Sequence, residues 1–264
     1  MSDASNPSRS NPLVVVTGGS SGVGQAAVES FIDMGSDVVF TYNSQKEKAE
    51  QMAAQLSQRG PSCTTRQVDL SDEQSLLAFT DEQISAGRPI STLVNNAGQV
   101  FRGPLRDTTS TDLRTQLEVN VVAPFMLIRE LQPLLIGGSV VNVASISSVS
   151  GMVDRSAYCS SKGAIAGLTL ALATELASDI RVNAIIAGIL ATPMNDGLLA
   201  NPDNVASVAA RVPMGRLGES EDVASVIAFL AGDGARYVTG ALWEVDGGVM
   251  ARTSLPAGDP RPGQ

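Results

Sequence analysis

Apolar and polar positions along the chain sort into two alternating kinds of segment. Short β-branched runs, which suit buried strands, occur at Leu13–Thr17 (LVVVT), Asp37–Tyr42 (DVVFTY), Cys63–Val68, Ser91–Val94, Ser139–Val143 (SVVNV), Arg181–Ile186 (RVNAII) and Leu242–Val245. Between them lie helix-like stretches at Gln25–Met34, Lys46–Gln58, Glu73–Ala86, Thr111–Leu135, Tyr158–Ala177 and Asp222–Leu230. The fourth of these contains Pro124 and Pro133, and the missing N–H of Pro124 predicts a kink. Strands alternating with helices are βαβ units, which build a parallel sheet covered on both faces. The expected fold is therefore an α/β, doubly wound parallel sheet of about seven strands with helices on both faces. No linker-like stretch interrupts the alternation, so residues 11–251 are expected to form a single domain. Residues 1–10 and 252–264, the latter rich in Pro and Gly, are expected to be flexible tails.

Three motifs fall at element boundaries. Thr17-Gly18-Gly19-Ser20-Ser21-Gly22-Val23-Gly24 follows the first strand and opens the first helix. Glycines there let the backbone turn tightly and approach a pyrophosphate, whose charge lies at a helix N-terminus. The spacing is Gly-x-x-x-Gly-x-Gly, and a ligand-free glycine turn is the plain alternative. Asn95-Asn96-Ala97-Gly98 ends the fourth strand at the carboxyl edge of the sheet, where open α/β folds bind ligands. Asn and Gly are also ordinary turn residues. Tyr158-Cys159-Ser160-Ser161-Lys162 places Tyr158 and Lys162 four apart, on one helix face. A free phenol ionises near a pKa of about 10, so a neighbouring ammonium is expected to lower it. A drop of about three units takes roughly 4 kcal/mol of differential stabilisation. A surface Tyr/Lys pair is the plain alternative.

Composition narrows the chemistry. The 264 residues are 43% apolar and 17% charged, enough for a core without metals or disulfides. A net charge of −9 argues against a nucleic-acid surface, an anionic membrane or an acidic carrier protein. No run of 18 apolar residues appears, and MSDASNPSRSN lacks the apolar core of a secretory signal, so a cytoplasmic location is expected. Cys63 and Cys159 lie in unrelated contexts and are expected to be free thiols. The chain has no histidine, which discards His-based hydrolase triads and His-containing zinc sites, and no metal is expected. An acid/base group near neutral pH must then be a carboxylate, Lys, Cys or Tyr.

TGGSSGVG, NNAG, a serine 13 residues before Tyr158, and YCSSK stand in this order along the chain. Together with RVNAIIAG at 181–188 and YVTGALWEVDGG at 237–248, they resemble the short-chain dehydrogenase/reductase family over nearly the whole chain. The resemblance implies a Rossmann fold, a nicotinamide cofactor, and hydride transfer to or from a carbonyl or alcohol carbon. It implies that Ser145 hydrogen-bonds the substrate oxygen and that Tyr158 donates or removes the proton. Lys162 would bind the nicotinamide ribose and lower the tyrosine pKa, and Asn120, in LEVNVVAPF, would hold a water in a proton relay. Cofactor contacts are implied for Gly18, Ser20, Ser21, Gly22, Val23 and Gly24, and for Tyr42, Asn43 and Ser44. They are also implied for Asp69 and Leu70, for Asn96, Ala97 and Gly98, and for Gly188, Ile189 and Thr192, beside Tyr158 and Lys162. Asp69 matches the carboxylate that contacts adenine, with a simple helix cap as the alternative.

Two departures from the family pattern stand out. Ala187-Gly188 replaces the usual Pro-Gly, which is expected to loosen the loop, and Ser148 stands where glycine is common. Making Ser147 or Ser148 catalytic breaks the 13-residue spacing, which favours Ser145. The second strand ends in Thr41-Tyr42-Asn43-Ser44, with no carboxylate to repel a 2′-phosphate. With Lys46 nearby, NADP(H) is favoured over NAD(H), although Ser21 stands where many NADP enzymes place Arg or Lys.

The substrate is expected to be a mid-sized carbonyl compound or alcohol, touched by Gln99, Ser147, Met152 and Met194 under a lid over about residues 189–212. Asp154 and Arg155 are expected to pair with each other or face solvent. The expected activity is NADPH-dependent ketone reduction. The alternatives are a 3-oxoacyl-(carrier protein) reductase, a sugar or polyol dehydrogenase and, from another class, a catalytically silent dinucleotide-binding regulator. Helix ends reading QPLLIGG and LASDI carry little positive charge for a carrier protein. A homotetramer (or dimer) is implied, packed through helices 111–135 and 158–177. Met126, Leu127, Leu131 and Leu134, or Leu168, Leu172 and Leu176, serve either that interface or the core.

Overall fold

A computed structural model describes residues 11–251, and the expected tails lie outside the described residues. Among the described residues, seven strands form one sheet: β1 (Leu13–Val16), β2 (Asp37–Tyr42), β3 (Cys63–Gln67), β4 (Ile90–Asn95), β5 (Ser139–Ser145), β6 (Arg181–Ala187) and β7 (Leu242–Val245). The order is β3-β2-β1-β4-β5-β6-β7 and every pairing is parallel. Helices α1 (Gly22–Asp33), α2 (Lys46–Ser57), α3 (Glu73–Ala86), α4 (Ser110–Leu117), α5 (Ala123–Leu131), α6 (Ser156–Glu175), α7 (Asp196–Leu199), α8 (Pro202–Ala209) and α9 (Ser220–Ala231) follow the strands. This is the doubly wound Rossmann arrangement. The order in which strands are added reverses between β1 and β4, which opens a crevice at the carboxyl ends of those strands.

Strand β1 shows why the apolar runs lack alternation. Val14 and Val16 pack into one core with Phe31, Ile32 and Ile227, while Leu13 and Val15 enter the other with Phe79, Leu127 and Leu131. Side chains of period two buried on both faces read as a continuous apolar run.

The expected helix over 111–135 is helical throughout but not one regular α-helix. A π-helical turn, Glu118–Val122, separates α4 from α5, and a 3₁₀ turn, Gln132–Leu134, follows. Pro124 has no N–H to give the carbonyl of Asn120, and the Ala123 N–H reaches five residues back to Glu118. The lid between β6 and α9 is not a plain loop either, since it contains α7 and α8. Asn201 caps α8 by accepting the Asp203 N–H at 2.9 Å.

Met126, Leu127, Leu131, Leu172 and Leu176 are buried in the chain's own core, and Leu134 and Leu168 pack against it. On these helices the large apolar side chains that face outward are Leu113, Val122, Phe125 and Leu170. Both cysteines are free thiols, and none of the described helices is long and apolar enough to cross a membrane.

Candidate active site

The carboxyl ends of the central strands open into a cleft of about 760 Å³, inside the roughly 300–1,000 Å³ range of small-ligand sites. One end is made by backbone. After β1 the chain turns through Gly18 (φ +65°) and Gly22 (φ +53°), left-handed conformations that favour glycine. A Cβ at Gly24 would lie 2.2 Å from the Gly18 carbonyl oxygen and 2.5 Å from Asn96 Nδ2. Thr17 Oγ1 accepts the N–H groups of Asn96 and Ala97, each at 3.0 Å. Asn96 Nδ2 donates in return to the carbonyls of Thr17 (2.9 Å) and Gly18 (3.2 Å). The glycine loop and the loop after β4 are thereby locked together. At the N-terminus of α1, Ser21 makes no side-chain cap and the first turn holds no acid. Its unpaired N–H groups and the positive helix end therefore fit the pyrophosphate of a dinucleotide.

Thr41, Tyr42, Asn43, Asp69, Leu70 and Ser71 line the far end of the cleft. Asp69 Oδ1 accepts from the Ser71 hydroxyl (2.6 Å) and N–H (2.9 Å), and these bonds hold its carboxyl below the usual range. Asp72, not Asp69, caps α3, so the helix-cap alternative for Asp69 fails. Lys46 is exposed and turns to Glu50 at 3.9 Å, outside the cleft lining.

Gly18, Ser21, Gly22, Val23, Tyr42, Asn43, Asp69, Leu70, Asn96, Ala97 and Gly98 all line the cleft, as do Gly188, Ile189 and Thr192. Five expected residues do not. Ser20 is buried within the glycine loop and Ser44 faces solvent. Gly24 serves helix-to-loop packing, and the Ser147 hydroxyl is buried and donates to Met152 Sδ at 2.9 Å. Asn120 lies one layer behind the cleft. Gly188 has a packing reason, because a Cβ there would lie 2.6 Å from Asp246 Cα. Nor does Ala187 leave its loop loose, since it pairs within the sheet with Ser145 and Val245.

At the middle of the cleft, Ser145 ends β5 and Tyr158 stands in the first turn of α6. Of Ser145, Ser147 and Ser148, Ser145 is the one whose hydroxyl acts on the Tyr158 phenol, favouring its ionised form. Its Oγ also accepts the Ser147 N–H at 3.2 Å, while Ser148 Oγ accepts the Ser145 N–H at 3.4 Å. Lys162 is buried, donates from Nζ to the Val143 carbonyl at 2.8 Å, and lies 5.9 Å from the Tyr158 ring centroid. Asn120 Oδ1 accepts the Gln99 N–H (2.8 Å), and its Nδ2 donates to Gln99 O and Ser161 Oγ (both 2.9 Å). Ser161 Oγ in turn donates to the Tyr158 carbonyl at 2.8 Å. Asn120 thus ties the loop after β4 to α6.

The electrostatics correct one expectation. Burial pushes the Tyr158 phenol up, offset in part by the Ser145 hydrogen bond and by the charges of Arg155 and Arg102. Burial also pushes Lys162 down to about 8. A shared apolar enclosure favours the neutral form of both groups. In the protein alone, therefore, the ammonium does not produce the expected drop in the tyrosine.

The other end of the cleft is made by side chains. Gln99, Val100 and Arg102 reach it from the loop after β4, Met152 and Arg155 from the loop before α6, and Met194, Asn195, Leu198 and Val208 from the lid. Arg102 Nη2 donates to Met194 O (3.0 Å) and Asn195 Oδ1 (2.9 Å). The Gly103 N–H donates to Asp154 O at 2.9 Å. Asp154 and Arg155 do not pair. Asp154 is exposed in a left-handed conformation (φ +58°), while Arg155 is half-buried in the cleft with Nη1 3.7 Å from Met152 Sδ. Sequence reasoning passed over Arg102, whose signal was a charge four residues past Gly98 in a loop already assigned to substrate.

Comparison with known proteins agrees with this geometry. A family profile described as enoyl-(acyl carrier protein) reductase matches residues 18–250. The cis-4-hydroxycyclohexanecarboxylate dehydrogenase of Sinomonas cyclohexanicum is 36% identical, over 90% of this chain and 96% of the relative. The NADP-dependent (R)-specific alcohol dehydrogenase of Lentilactobacillus kefiri is 32% identical, over 91% and 97%. The crystal structure of a blue fluorescent protein from a metagenomic library in complex with NADPH superposes with a TM-score of 0.84. That protein is 33% identical, over 90% of this chain and 97% of its own.

Proposed function

The chain belongs to the short-chain dehydrogenase/reductase family and is a nicotinamide-dependent oxidoreductase acting on CH–OH or C=O groups, and we propose that it works as an NADPH-dependent reductase of a small-molecule ketone. The observation that carries this reading is the meeting of Ser145, Tyr158 and Lys162 beside the glycine cradle of α1. The bound dinucleotide supplies the hydride. Tyr158 gives its phenolic proton to the carbonyl oxygen in reduction and removes it in oxidation. Ser145 donates a hydrogen bond to the same oxygen, and Lys162 holds the nicotinamide ribose. Asn120, whose backbone carbonyl has no N–H partner at Pro124, holds a water that carries protons to Lys162. First-turn N–H groups of α1 hold the pyrophosphate, and Asp69 faces the adenine.

NADPH is favoured because β2 ends in Thr41 and Tyr42 and is followed by Asn43, exposed at the cleft, with no acid to repel a 2′-phosphate. The NADP dependence of the Lentilactobacillus relative and the NADPH bound in the metagenomic structure support the same choice. Residues 11–251 act as a single domain in the cytoplasm. The chain forms a homotetramer (or dimer) through the outward Val122, Phe125 and Leu170, which light scattering checks.

The reading is tested by a panel of ketones and alcohols followed at 340 nm with NADPH and with NADH. Tyr158→Phe is expected to lower kcat about 10³-fold, within the range for a lost general acid, while dinucleotide affinity stays unchanged. Full turnover by the Phe variant, or NADH used in preference to NADPH, overturns the corresponding part.

A further inference from the structure

We infer that the substrate is a small ketone or secondary alcohol bearing a carboxylate, and that Arg155 and Arg102 hold that carboxylate. This rests on the oxidoreductase reading above and names the substrate class for the same site.

The charge distribution of the cleft points this way. The whole chain carries −9, with 27 acids against 18 bases. Yet the charged residues lining the cleft are Arg102, Arg155, Lys162 and one acid, Asp69. Asp69 lies at the adenosine end and already accepts from Ser71. The three cations gather around Tyr158. Lys162 donates to the Val143 carbonyl and, in the reading above, to the nicotinamide ribose. Arg102 donates through Nη2 to neutral oxygens, and Arg155 meets a thioether. Neither arginine joins an ion pair among the described residues.

Two like charges facing each other across a partly desolvated cleft repel. Burial and the Arg102 charge both push the Arg155 guanidinium down. A bound anion turns that repulsion into attraction. The guanidinium fork suits the two coplanar oxygens of a carboxylate better than a neutral carbonyl group. Both arginines also favour the ionised Tyr158 phenol, Arg155 more than Arg102. The carboxylate therefore binds close to the reacting oxygen, which implies a short substrate. The loops are braced for this task. The bond from the Gly103 N–H to Asp154 O joins the two arginine-bearing loops, and Arg102 clips its own loop to the lid at Met194 and Asn195.

The test compares matched 3-oxo and 4-oxo carboxylic acids with their methyl esters, with NADPH and the full-length enzyme. The ratio of kcat/KM for acid over ester is the readout, because changes in Tyr158 ionisation cancel within it. The wild type is expected to favour the acid at least about tenfold, the worth of one charge-assisted hydrogen bond. Arg155→Gln should bring the ratio towards one, Arg102→Gln should lower it less, and Arg155→Lys should restore part of it. In a second arm, benzoate and benzamide are titrated into the NADP⁺-loaded enzyme. Benzoate should bind at least about tenfold tighter, and Arg155→Gln should remove the difference. Esters reduced as well as acids, or benzamide bound as well as benzoate, overturn the inference while leaving the reductase reading intact. No turnover of any ketone or ester overturns the reductase reading, and the benzoate arm still decides the arginine pair.

Discussion

The two ends of the cleft hold their ligands by different means. At the dinucleotide end the contacts are backbone. Gly18 and Gly22 take conformations that favour glycine, Thr17 and Asn96 lock two loops with four hydrogen bonds, and the helix terminus supplies the positive field. At the substrate end the contacts are long side chains on loops, Met152, Met194, Arg102 and Arg155, held by a few bonds between loops. A backbone-made site tolerates little change and must suit a constant ligand. A side-chain-made site can be altered one residue at a time, which suits the part of the molecule that chooses the substrate.

The contrast breaks first at Gly24. Its Cβ would lie 2.2 Å from the Gly18 carbonyl oxygen, a backbone atom that cannot swing aside. Gly24→Ala is expected to destabilise the protein by about 3 kcal/mol, the upper part of the usual range for overpacking. It should also weaken NADPH binding, because relief requires moving the loop that carries Gly22. Urea unfolding and calorimetric titration measure the two effects. An alanine variant with the wild-type midpoint and wild-type NADPH affinity would show that the cradle is not the rigid half.

The same division explains what the sequence made legible. The strands, the glycine loop, NNAG and the Tyr158–Lys162 pair could be read because backbone turns and helix faces impose residue types at set spacings. Ser145 was separable from Ser147 and Ser148 by spacing, and the structure gives the reason in the Ser147 bond to Met152. The π turn beneath Asn120 was not legible beyond the kink at Pro124, since its form depends on which carbonyl Ala123 reaches. Adjacency alone predicts that Arg155 pairs with Asp154 or faces solvent. The left-handed backbone at Asp154, a tertiary effect, sends the arginine into the cleft instead. Burial, likewise invisible in a local motif, pushes the Tyr158 phenol up in the protein alone.

Between the two halves, Lys162 offers a smaller and sharper measurement. Its ammonium ionises about 8 in the folded protein, against an ordinary value of 10.5. Below pH 8 it is charged in both states, and the folded chain carries the full desolvation penalty. Above that, the folded chain releases a proton that the unfolded chain keeps, so stability rises with pH. The raised Tyr158 phenol acts in the opposite sense, but only above its ordinary value of about 10. Burial also pushes the Cys63 thiol up from 9.0 to about 11, which lowers stability as pH rises through that interval. The Lys162 contribution is therefore read against Lys162→Met: between pH 8 and 10, cofactor-free wild type should gain about 2 kcal/mol relative to that variant. A difference between wild-type and Lys162→Met urea stabilities that stays level across that window contradicts the burial of a charged ammonium.

The smallest expected effect comes from the substrate end, at Asp154. Its φ of +58° costs a non-glycine residue of the L series about 1 kcal/mol, somewhat less for Asp. Asp154→Gly removes that strain and adds a similar entropy to the unfolded chain. The unfolding midpoint should thus stay within about 0.5 kcal/mol of wild type, whereas Asp154→Val should lose about 1–2 kcal/mol because a β-branched residue resists the turn. The glycine variant also frees the peptide whose carbonyl receives the Gly103 N–H and whose next residue is Arg155. A looser arginine should raise KM for a carboxylate-bearing ketone about two- to threefold, well below the loss expected for removing the guanidinium, and leave NADPH affinity unchanged. If Asp154→Gly instead weakens NADPH binding with no change in substrate KM, the two ends are coupled through the backbone and the separation drawn between them fails.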